Sequence, residues 1–349
     1  MKIASVGVAF PENVYEQQVI TNELKDQWRN KLPNPEVLSR LHARCGVDKR
    51  HLALPLEAYD GIRSWGHAND LWIDAAQKLG RDAICHALTP QGLMPSDINA
   101  LIFTTVTGVA SPSIDARLVN RMNLSPNIKR MPIFGLGCVA GAAGLARAAD
   151  YVRAYPDQLA VLLSVEICSL TWQRDDVSMA NMISTGLFGD GAAAVLVAGS
   201  DAGLDGPEII DTRSIFYPNT QDVMGWNISQ DGFKIILSPD VPEVIKANLG
   251  SDVDTFLYDH ELTRDDISSW IIHTGGPRVL EAVAESLNLT DKDLELSWNS
   301  LAEVGNLSSA SVLVVLEKFL AERRGEPGTY SVLAAMGPGF CSELVLIRW

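Results

Sequence analysis

Three residues of the chain have the types and surroundings needed for nucleophilic chemistry. Cys138 lies in the segment FGLGCVAGAAG, where glycines precede a helix-like run. A helix N-terminus would favour its thiolate, because the unpaired amides there carry partial positive charge. His273 ends a short apolar run and precedes TGGP, and a neutral imidazole in that position can transfer a proton near pH 7. Asn306 precedes a second helix-like run and supplies an uncharged amide donor.

Each of these residues alone has an ordinary structural explanation. A buried cysteine is commonly a small apolar side chain, a buried histidine can be satisfied within a core, and asparagine is a preferred helix N-cap. Together they predict a thiol nucleophile, a proton-transferring imidazole and neutral donors for a developing oxyanion. Such a set suits thioester chemistry, in which sulfur accepts an acyl group and the donors stabilise the enolate of a decarboxylating malonyl thioester.

The elements that would position these residues follow an alternating pattern. Strand-length runs that are apolar on both faces are typical of central strands covered by helices on both sides. Helix-period segments separate them, which predicts the α/β class. The runs cover residues 100–106, 159–165, 192–198, 270–273, 330–335 and 343–348.

The two halves of the chain resemble each other. Gly137-Cys138 is followed by a helix rich in small residues and the strand LAVLLSV, and Gly305-Asn306 by LSSASVLVVLEKFLA and the strand YSVLAA. A helix that is apolar on every side is buried on every side. We predict a duplicated unit whose two central helices pack together, with Cys138 and Asn306 at their N-termini facing one cavity. The turn-rich segment GSDAGLDGP divides the chain into halves at 1–203 and 204–349.

Composition excludes several classes of protein. The 349 residues include 28 basic and 43 acidic side chains, and the net charge of −15 argues against nucleic acid as a partner. Five cysteines without C-x-x-C spacing predict neither a disulfide framework nor a metal site. The first ten residues lack the features of a secretory signal and no apolar run is long enough for a membrane span, so we expect a cytoplasmic protein.

One motif offers a competing interpretation. Gly135, Gly137 and Ala140 match the glycine spacing of a dinucleotide-binding turn, and a strand ending at Glu166 follows. Cys138 directly follows the second glycine, where the backbone would have to approach the pyrophosphate. This position makes the dinucleotide interpretation the weaker one.

From about residue 3 to the C-terminus, the chain resembles type III polyketide synthases, the chalcone and stilbene synthase family. Five segments in the same order carry the resemblance. They are GCVAGAAGLARAADYV, GLFGDGAAAVLV, IIHTGGPRVLEAV, EVGNLSSASV and MGPGF. The resemblance implies a thiolase fold with five αβαβα layers, a homodimer, coenzyme A thioester substrates, no further cofactor, and a catalytic triad of Cys138, His273 and Asn306. The related ketoacyl-ACP synthase III usually has Ala-Asn after its histidine, whereas TGGP here favours the polyketide branch.

The same resemblance implies which residues line the substrate cavity. Phe188 matches a gatekeeper between the coenzyme A tunnel and the cavity, and Ile235 stands where the family has a second gatekeeper phenylalanine. Cys168 and Thr171 fall where plant enzymes have threonines. The MGPGF segment contributes the remaining cavity residues, Pro338 and Gly339.

The chain matches only part of a hydrogen-bond network that is associated with aldol ring closure in the family it resembles. Ser308 and Glu166 correspond to two of its members, while Val106 replaces the third, a threonine. By this resemblance, lactone formation is favoured over an aromatic ring.

An acidic protein that binds coenzyme A phosphates needs a local basic patch. Arg44, Lys49 and Arg50 in RCGVDKR, together with Arg278, are the candidates. Ordinary solvated charges are the alternative for each.

We therefore expect an acyltransferase that loads an acyl starter on Cys138 and extends it iteratively with malonyl-CoA units to an alkylpyrone or alkylresorcinol. The alternative is a single-round synthase of the ketoacyl-ACP synthase III type, supplied by an acyl carrier protein. An inactive thiolase-fold subunit is a third interpretation, and the intact triad argues against it.

Overall fold

The computed structural model describes residues 1–322 and 325–349. Its strands are β1 (Lys2–Ala9), β2 (Asn13–Glu16), β3 (Lys49–Leu52), β4 (Ala100–Thr105), β5 (Lys129–Phe134), β6 (Leu159–Ile167), β7 (Asp190–Ala198), β8 (Glu208–Phe216), β9 (Met224–Ser229), β10 (Gly232–Leu237), β11 (Ile267–Ile272), β12 (Tyr330–Gly337) and β13 (Cys341–Arg348). Its α-helices are α1 (Gln17–Gln27), α2 (Glu36–Ala43), α3 (Trp65–Leu88), α4 (Ile114–Met122), α5 (Ala140–Ala154), α6 (Met179–Leu187), α7 (Val241–Tyr258), α8 (Pro277–Leu287), α9 (Glu295–Val304) and α10 (Ser311–Glu322).

The strand order reveals a duplication. The main sheet runs β11-β12-β13-β8-β1-β7-β6-β4-β5, and β1 and β8 meet at the pair Lys2 and Glu208. On each side of this junction, the next two strands pair antiparallel and the third pairing is parallel. The sequence β8-β13-β12-β11 thus repeats β1-β7-β6-β4, which confirms the predicted duplicated α/β unit.

Helices cover both faces of each half-sheet. One face of the first half packs against α3, and its other face packs against α5 and α10. The second half contacts the same central helices and is covered on its outer face by α7 and α8. Strand β6 follows period-two alternation, with Leu163 facing α3 and Leu162 facing the centre. The result is the five-layer thiolase fold that the family resemblance implied.

The central helices approach closely because glycine stands at their contact. A Cβ atom added at Gly141 of α5 would lie 2.3 Å from the carbonyl oxygen of Ser309 and 2.8 Å from Val312 Cγ1. Only a residue without a side chain fits there. This contact brings the start of α5 against the turn that precedes α10.

The two central helices begin later than the sequence pattern predicts. Cys138 lies in a 3-10 turn, Gly137–Val139, and α5 starts at Ala140. Asn306 lies in an extended segment ahead of a second 3-10 turn, and α10 starts at Ser311. The cause is backbone geometry, since Gly137 and Gly305 adopt φ values of 56° and 75°, which interrupt a helix. Asn306 is therefore not the N-cap of α10.

Within the described ranges, none of the helices combines the length and the apolar character required to cross a bilayer.

The close contact at Gly141 leads to a stability prediction. Gly141→Ala would place a methyl group against fixed backbone and should lower the free energy of unfolding by about 1–3 kcal/mol. Gly66→Ala is the matched control, because Gly66 is also helical but its added Cβ would come no closer than 3.8 Å to Ser64 Oγ. The control should be neutral or stabilising by up to about 1 kcal/mol. Equal thermal midpoints for the two variants would contradict this packing.

Candidate active site

Cys138 is enclosed by the start of both central helices. Its side chain is 6% exposed, and its Sγ lies 3.7 Å from Ser308 Oγ. Burial raises the pKa of the thiol to about 12, although the side chains of Ser308 and Asn306 lower it in part. Loss of hydration thus opposes the thiolate, while the neighbouring donors favour it. Cys138 needs a base to become a nucleophile.

Asn306 is fixed in orientation by its own neighbours. Its backbone N–H donates to Leu187 O at 2.9 Å, and Gly189 N–H donates to Asn306 O at 3.0 Å. The side-chain Oδ1 accepts from Ser308 N at 2.7 Å and from Ser311 Oγ at 3.2 Å. With Oδ1 so occupied, the amide Nδ2 is turned to the opposite side, where it acts as a donor near Cys138.

His273 directly follows β11 and is neutral at physiological pH. It is 3% exposed, and burial lowers its pKa to about 4. Its backbone N–H donates to Ala334 O of β12 at 3.0 Å. Within the described residues its buried Nδ1 has no hydrogen-bond partner, so this nitrogen is available to a substrate or to a reacting proton.

The elements that carry the three residues lie against the end of β12 and the end of α6. A Cβ added at Gly137, next to Cys138, would lie 2.7 Å from the side chain of Pro338, which follows β12. His273 is bonded to the same strand. On its other side, a Cβ added at Gly276 would lie 3.4 Å from the side chain of Leu187, whose carbonyl holds Asn306. The side chain of Asn306 thus lies beside Cys138, and His273 is attached to elements that also contact the segments of the other two residues.

The carboxylate of Glu166 organises a hydrogen-bond network that differs from the expected one. It accepts from Thr107 Oγ1 at 2.8 Å, from Val106 N at 3.0 Å, and from the hydroxyl of Ser309. Ser308, the predicted member, instead faces Cys138, because the 3-10 turn directs successive side chains apart. The threonine that the network was expected to lack is present one position after Val106, as Thr107. Burial raises the pKa of Glu166, and these donors lower it in part.

The predicted cavity residues Cys168 and Thr171 lie in one 3-10 turn after β6. Cys168 is buried close to Cys138, and burial raises the pKa of its thiol well above the usual value. Thr171 borders a cavity of about 680 Å³ that is also lined by Tyr59, Trp65 and other residues of α3 and the 3-10 segments. The described lining does not include Cys138, His273 or Asn306, so this cavity adjoins the reaction centre and does not contain it.

The gatekeeper candidates lie on different elements. Phe188 is half-buried at the end of α6 and forms an isolated bridge with Asn306. Ile235 is half-buried in β10, but Phe233 on the same face of that strand is buried and lines the cavity. The centroid of the Phe233 ring lies 6.0 Å from that of the Trp65 ring. Sequence analysis missed Phe233, and the two-residue period of β10 was the signal that could have identified it.

The four basic candidates separate into two groups. Arg44, Lys49 and Arg278 are exposed, and a Cβ added at Gly46 would lie 3.1 Å from Pro277 Cγ, so the loop 44–49 lies against the start of α8. Arg50 is wholly buried and donates to Phe188 O at 2.7 Å. The prediction that Arg50 binds a coenzyme A phosphate is wrong, because a side chain without solvent exposure does not reach a coenzyme on the surface.

The fold and the buried thiol, imidazole and amide together are those of acyl-condensing enzymes of the thiolase type. The comparisons identify the branch. The N-terminal domain model of chalcone and stilbene synthases matches residues 1–202, and the C-terminal domain model of the same family matches residues 208–349. The chain belongs to the chalcone and stilbene synthase family and is a type III polyketide synthase, which confirms the resemblance seen in the sequence.

Individual relatives are similar over their whole lengths. The 1,3,6,8-tetrahydroxynaphthalene synthase of Streptomyces peucetius subsp. caesius is 49% identical over 350 residues, covering 99% of this chain and 93% of the relative. The phloroglucinol synthase of Pseudomonas fluorescens is 32% identical over 345 residues, covering 98% of this chain and 97% of the relative. The crystal structure of 1,3,6,8-tetrahydroxynaphthalene synthase from Streptomyces coelicolor A3(2), a bacterial type III polyketide synthase, superposes with a TM-score of 0.93 at 30% identity, covering 100% of this chain and 99% of that one.

Base catalysis by His273 predicts an unusual alkylation profile for Cys138. Transfer of the thiol proton to the imidazole leaves the net protonation of the pair unchanged, and the attraction between the two charges formed makes the pair titrate as one unit and not with the separate pKa values of its members. Iodoacetamide should therefore label Cys138 at a rate that is nearly independent of pH, whereas labelling of the exposed Cys85 should rise with pH. Peptide mass spectrometry after timed labelling measures both rates.

Removal of the imidazole should abolish this behaviour. His273→Gln should slow labelling of Cys138 at least about tenfold at pH 7. His42→Gln is the matched control, because burial also lowers the pKa of His42 to about 4 but its ring contacts α6 and Thr21. Equal slowing by both variants would show that His273 is not the base.

Proposed function

We propose that the protein is an iterative decarboxylating condensing enzyme that uses coenzyme A thioesters. The first half, residues 1–203, supplies the nucleophile Cys138, and the second half, residues 204–349, supplies His273 and Asn306. The observation that carries the proposal is the contact of a buried thiol with an oriented amide donor. The buried imidazole of His273, whose Nδ1 has no partner in the described part of the chain, supports it.

Loading of the starter begins with proton transfer from the thiol to the imidazole. The Cys138 thiolate then attacks the carbonyl carbon of an acyl-CoA, and the backbone amides of the turn around Cys138 stabilise the oxyanion. The carbon–sulfur bond to coenzyme A breaks, and the leaving thiolate takes the proton back from His273. The products are an acyl-cysteine thioester and free coenzyme A, and the imidazole is neutral again.

Extension uses the same two neutral donors on a second substrate. Asn306 Nδ2 and a ring N–H of His273 would donate to the thioester oxygen of malonyl-CoA while its bond to the carboxylate breaks and carbon dioxide leaves. The resulting enolate carbon attacks the acyl-cysteine carbonyl, the carbon–sulfur bond to Cys138 breaks, and the departing thiolate takes a proton from solvent. Burial serves this step, because hydrogen bonds to developing charge are stronger where water is excluded.

Two product classes follow from different observations. The family resemblance, which placed Ile235 at the second gatekeeper position, supports the extension of an aliphatic starter to an alkylpyrone or alkylresorcinol, and Phe233, an aromatic residue that lines the cavity from the same strand face, weakens that support. The 49% identity with a tetrahydroxynaphthalene synthase supports a second candidate, in which malonyl-CoA is both starter and extender and the product is a polyhydroxylated aromatic. The hydroxyls of Thr107 and Ser309, which donate to Glu166, favour the aromatic product. They supply the polar network that Val106 was expected to interrupt.

An exposed sheet edge supports a homodimer. Strand β5 ends the main sheet and is exposed along most of its length, with Met131 and Phe134 43% and 47% exposed. An unpaired edge with apolar side chains is suited to pairing with a second copy. Sedimentation at twice the monomer mass would support this assembly, and sedimentation at the monomer mass would contradict it.

The nucleophile is tested by substitution. Cys138→Ala should remove acyl transfer and polyketide formation completely, because no sulfur remains to carry the chain, while the fold is retained. Cys85→Ala is the control, since Cys85 is exposed on α3 and should leave product formation unchanged. Product formation by Cys138→Ala would contradict the proposal.

The substrate class is tested by a product profile. Purified protein is incubated with malonyl-CoA alone, with malonyl-CoA and a series of aliphatic acyl-CoAs, and with acyl carrier protein substrates. Mass spectrometry should detect products of several extensions. An aromatic from malonyl-CoA alone supports the second candidate, and a single β-keto product formed only with the carrier protein would contradict iterative synthesis.

The basic patch is tested by charge removal. Replacement of Arg44, Lys49 and Arg278 by Gln should remove about 1–2 kcal/mol of attraction for coenzyme A phosphates and raise KM for malonyl-CoA roughly tenfold. The control is Arg153→Gln, an exposed arginine in the last turn of α5, which lies about 20 Å from the start of that helix. An unchanged KM in the triple variant would exclude this patch.

A further inference from the structure

Arg50 is a buried charge that the chemistry described above does not use. Its side chain has no solvent exposure, and its Nε and Nη2 have no hydrogen-bond partner among residues 1–322 and 325–349. Burial lowers its pKa to about 10, so the guanidinium stays charged at neutral pH. Burying a permanent charge is costly unless other groups compensate it. Such a residue requires an explanation in its surroundings.

The single side-chain hydrogen bond of Arg50 in the described ranges goes to the segment that holds Asn306. Its Nη1 donates to Phe188 O at 2.7 Å. The residues on either side of Phe188 form the two backbone hydrogen bonds to Asn306, one through Leu187 O and one through Gly189 N. The guanidinium is therefore bound to the centre of the three-residue segment whose ends fix the amide donor.

The segment on the other side of Asn306 is also packed on this arginine. A Cβ added at Gly305 would lie 3.1 Å from Arg50 Cδ and 2.8 Å from Leu187 O. A Cβ added at Gly189 would lie 3.6 Å from Arg50 Cγ and 2.4 Å from Val304 O. The aliphatic part of Arg50 thus fills the space between the two segments, and glycine allows both to come near it.

Asp190 supplies the neighbouring negative charge. Its carboxylate accepts from Ala53 N at 2.7 Å and from Ser169 N at 2.8 Å. Burial raises its pKa to about 6, while these hydrogen bonds and, to a smaller extent, the charge of Arg50 lower it. The pair therefore connects the end of β3, the turn that carries Cys168, and the segment that bonds to Asn306.

We propose that Arg50 is a positioning residue for the reaction: it holds the Phe188 carbonyl so that Asn306 presents its amide donor to the reacting thioester. The proposal rests on the role given to Asn306 under the proposed function. It also replaces the role in coenzyme A binding that the sequence suggested for this arginine.

The test compares Arg50→Met, Arg50→Lys and Asn306→Ala in the full-length enzyme. Arg50→Met should lower kcat for condensation roughly tenfold to a hundredfold, because small displacements of a catalytic donor have effects of that size. KM for malonyl-CoA should change less than about twofold. Arg50→Lys, which keeps the charge and one donor, should recover part of kcat. A raised KM with unchanged kcat would instead assign Arg50 to coenzyme binding and overturn the proposal.

A double-variant cycle separates positioning from general loss of structure. If Arg50 acts through Asn306, the variant carrying both Arg50→Met and Asn306→Ala should be no slower than Asn306→Ala alone. Multiplicative losses would mean that Arg50 acts independently and would overturn the proposal. If Arg50→Met does not fold, the same cycle with Arg50→Lys decides. His42→Gln is the control for loss of a buried polar group near Arg50 and should keep kcat within about twofold.

Failure of the proposal for Arg50 can be distinguished from failure of the proposed function. Iodoacetamide labelling of Cys138 should persist in the Arg50 variants, because Arg50 is bonded to the segment that holds Asn306 and not to the thiol. Product formation by Cys138→Ala would refute the proposed function itself. Loss of product in Cys138→Ala together with unchanged kcat in the Arg50 variants would refute only the role of Arg50.

Discussion

Exclusion of water around one thiol is the constraint on which the rest of the structure depends. Cys138 lies where two buried helices begin, and the close contact of Gly141 with Ser309 closes the space around it. Burial destabilises both the thiolate and the imidazolium, which raises the pKa of Cys138 to about 12 and lowers that of His273 to about 4. Burial therefore favours the neutral form of each group before substrate binds.

This neutrality suits a reaction in which charge appears only transiently. A neutral pair can transfer one proton for loading and return it when coenzyme A leaves. The oriented amide of Asn306 then meets an enolate oxygen without first giving up bonds to water. The duplicated fold makes this arrangement possible, because each half contributes one buried helix start.

The sequence was sufficient for the fold class, and it supplied the three residues that we propose to react. Apolar strands, all-apolar helices and the flanking glycines of Cys138 are local signals, and they identified the duplicated architecture. Arg50 could not be assigned in this way, since a basic run looks the same whether its members are exposed or buried. Its burial depends on the glycines at 189 and 305, which come from distant parts of the chain.

Local backbone geometry explains the other differences. Ser308 and Ser309 are adjacent in sequence, and only the 3-10 turn determines that the first faces Cys138 and the second faces Glu166. Phe233 and Ile235 share a strand face, so the choice between them depends on which end of β10 borders the cavity. A shift of one or two residues reverses such assignments, and sequence pattern does not fix position to that precision.

The direct test is to measure the protonation state of His273. Carbon-13 NMR of enzyme labelled at the histidine Cε1 reports it, and His273→Gln assigns the signal. The account predicts a neutral imidazole at pH 7 that does not titrate until the pH falls to about 4. An imidazolium at pH 7, or titration near pH 6.5 as in an exposed histidine, would contradict it.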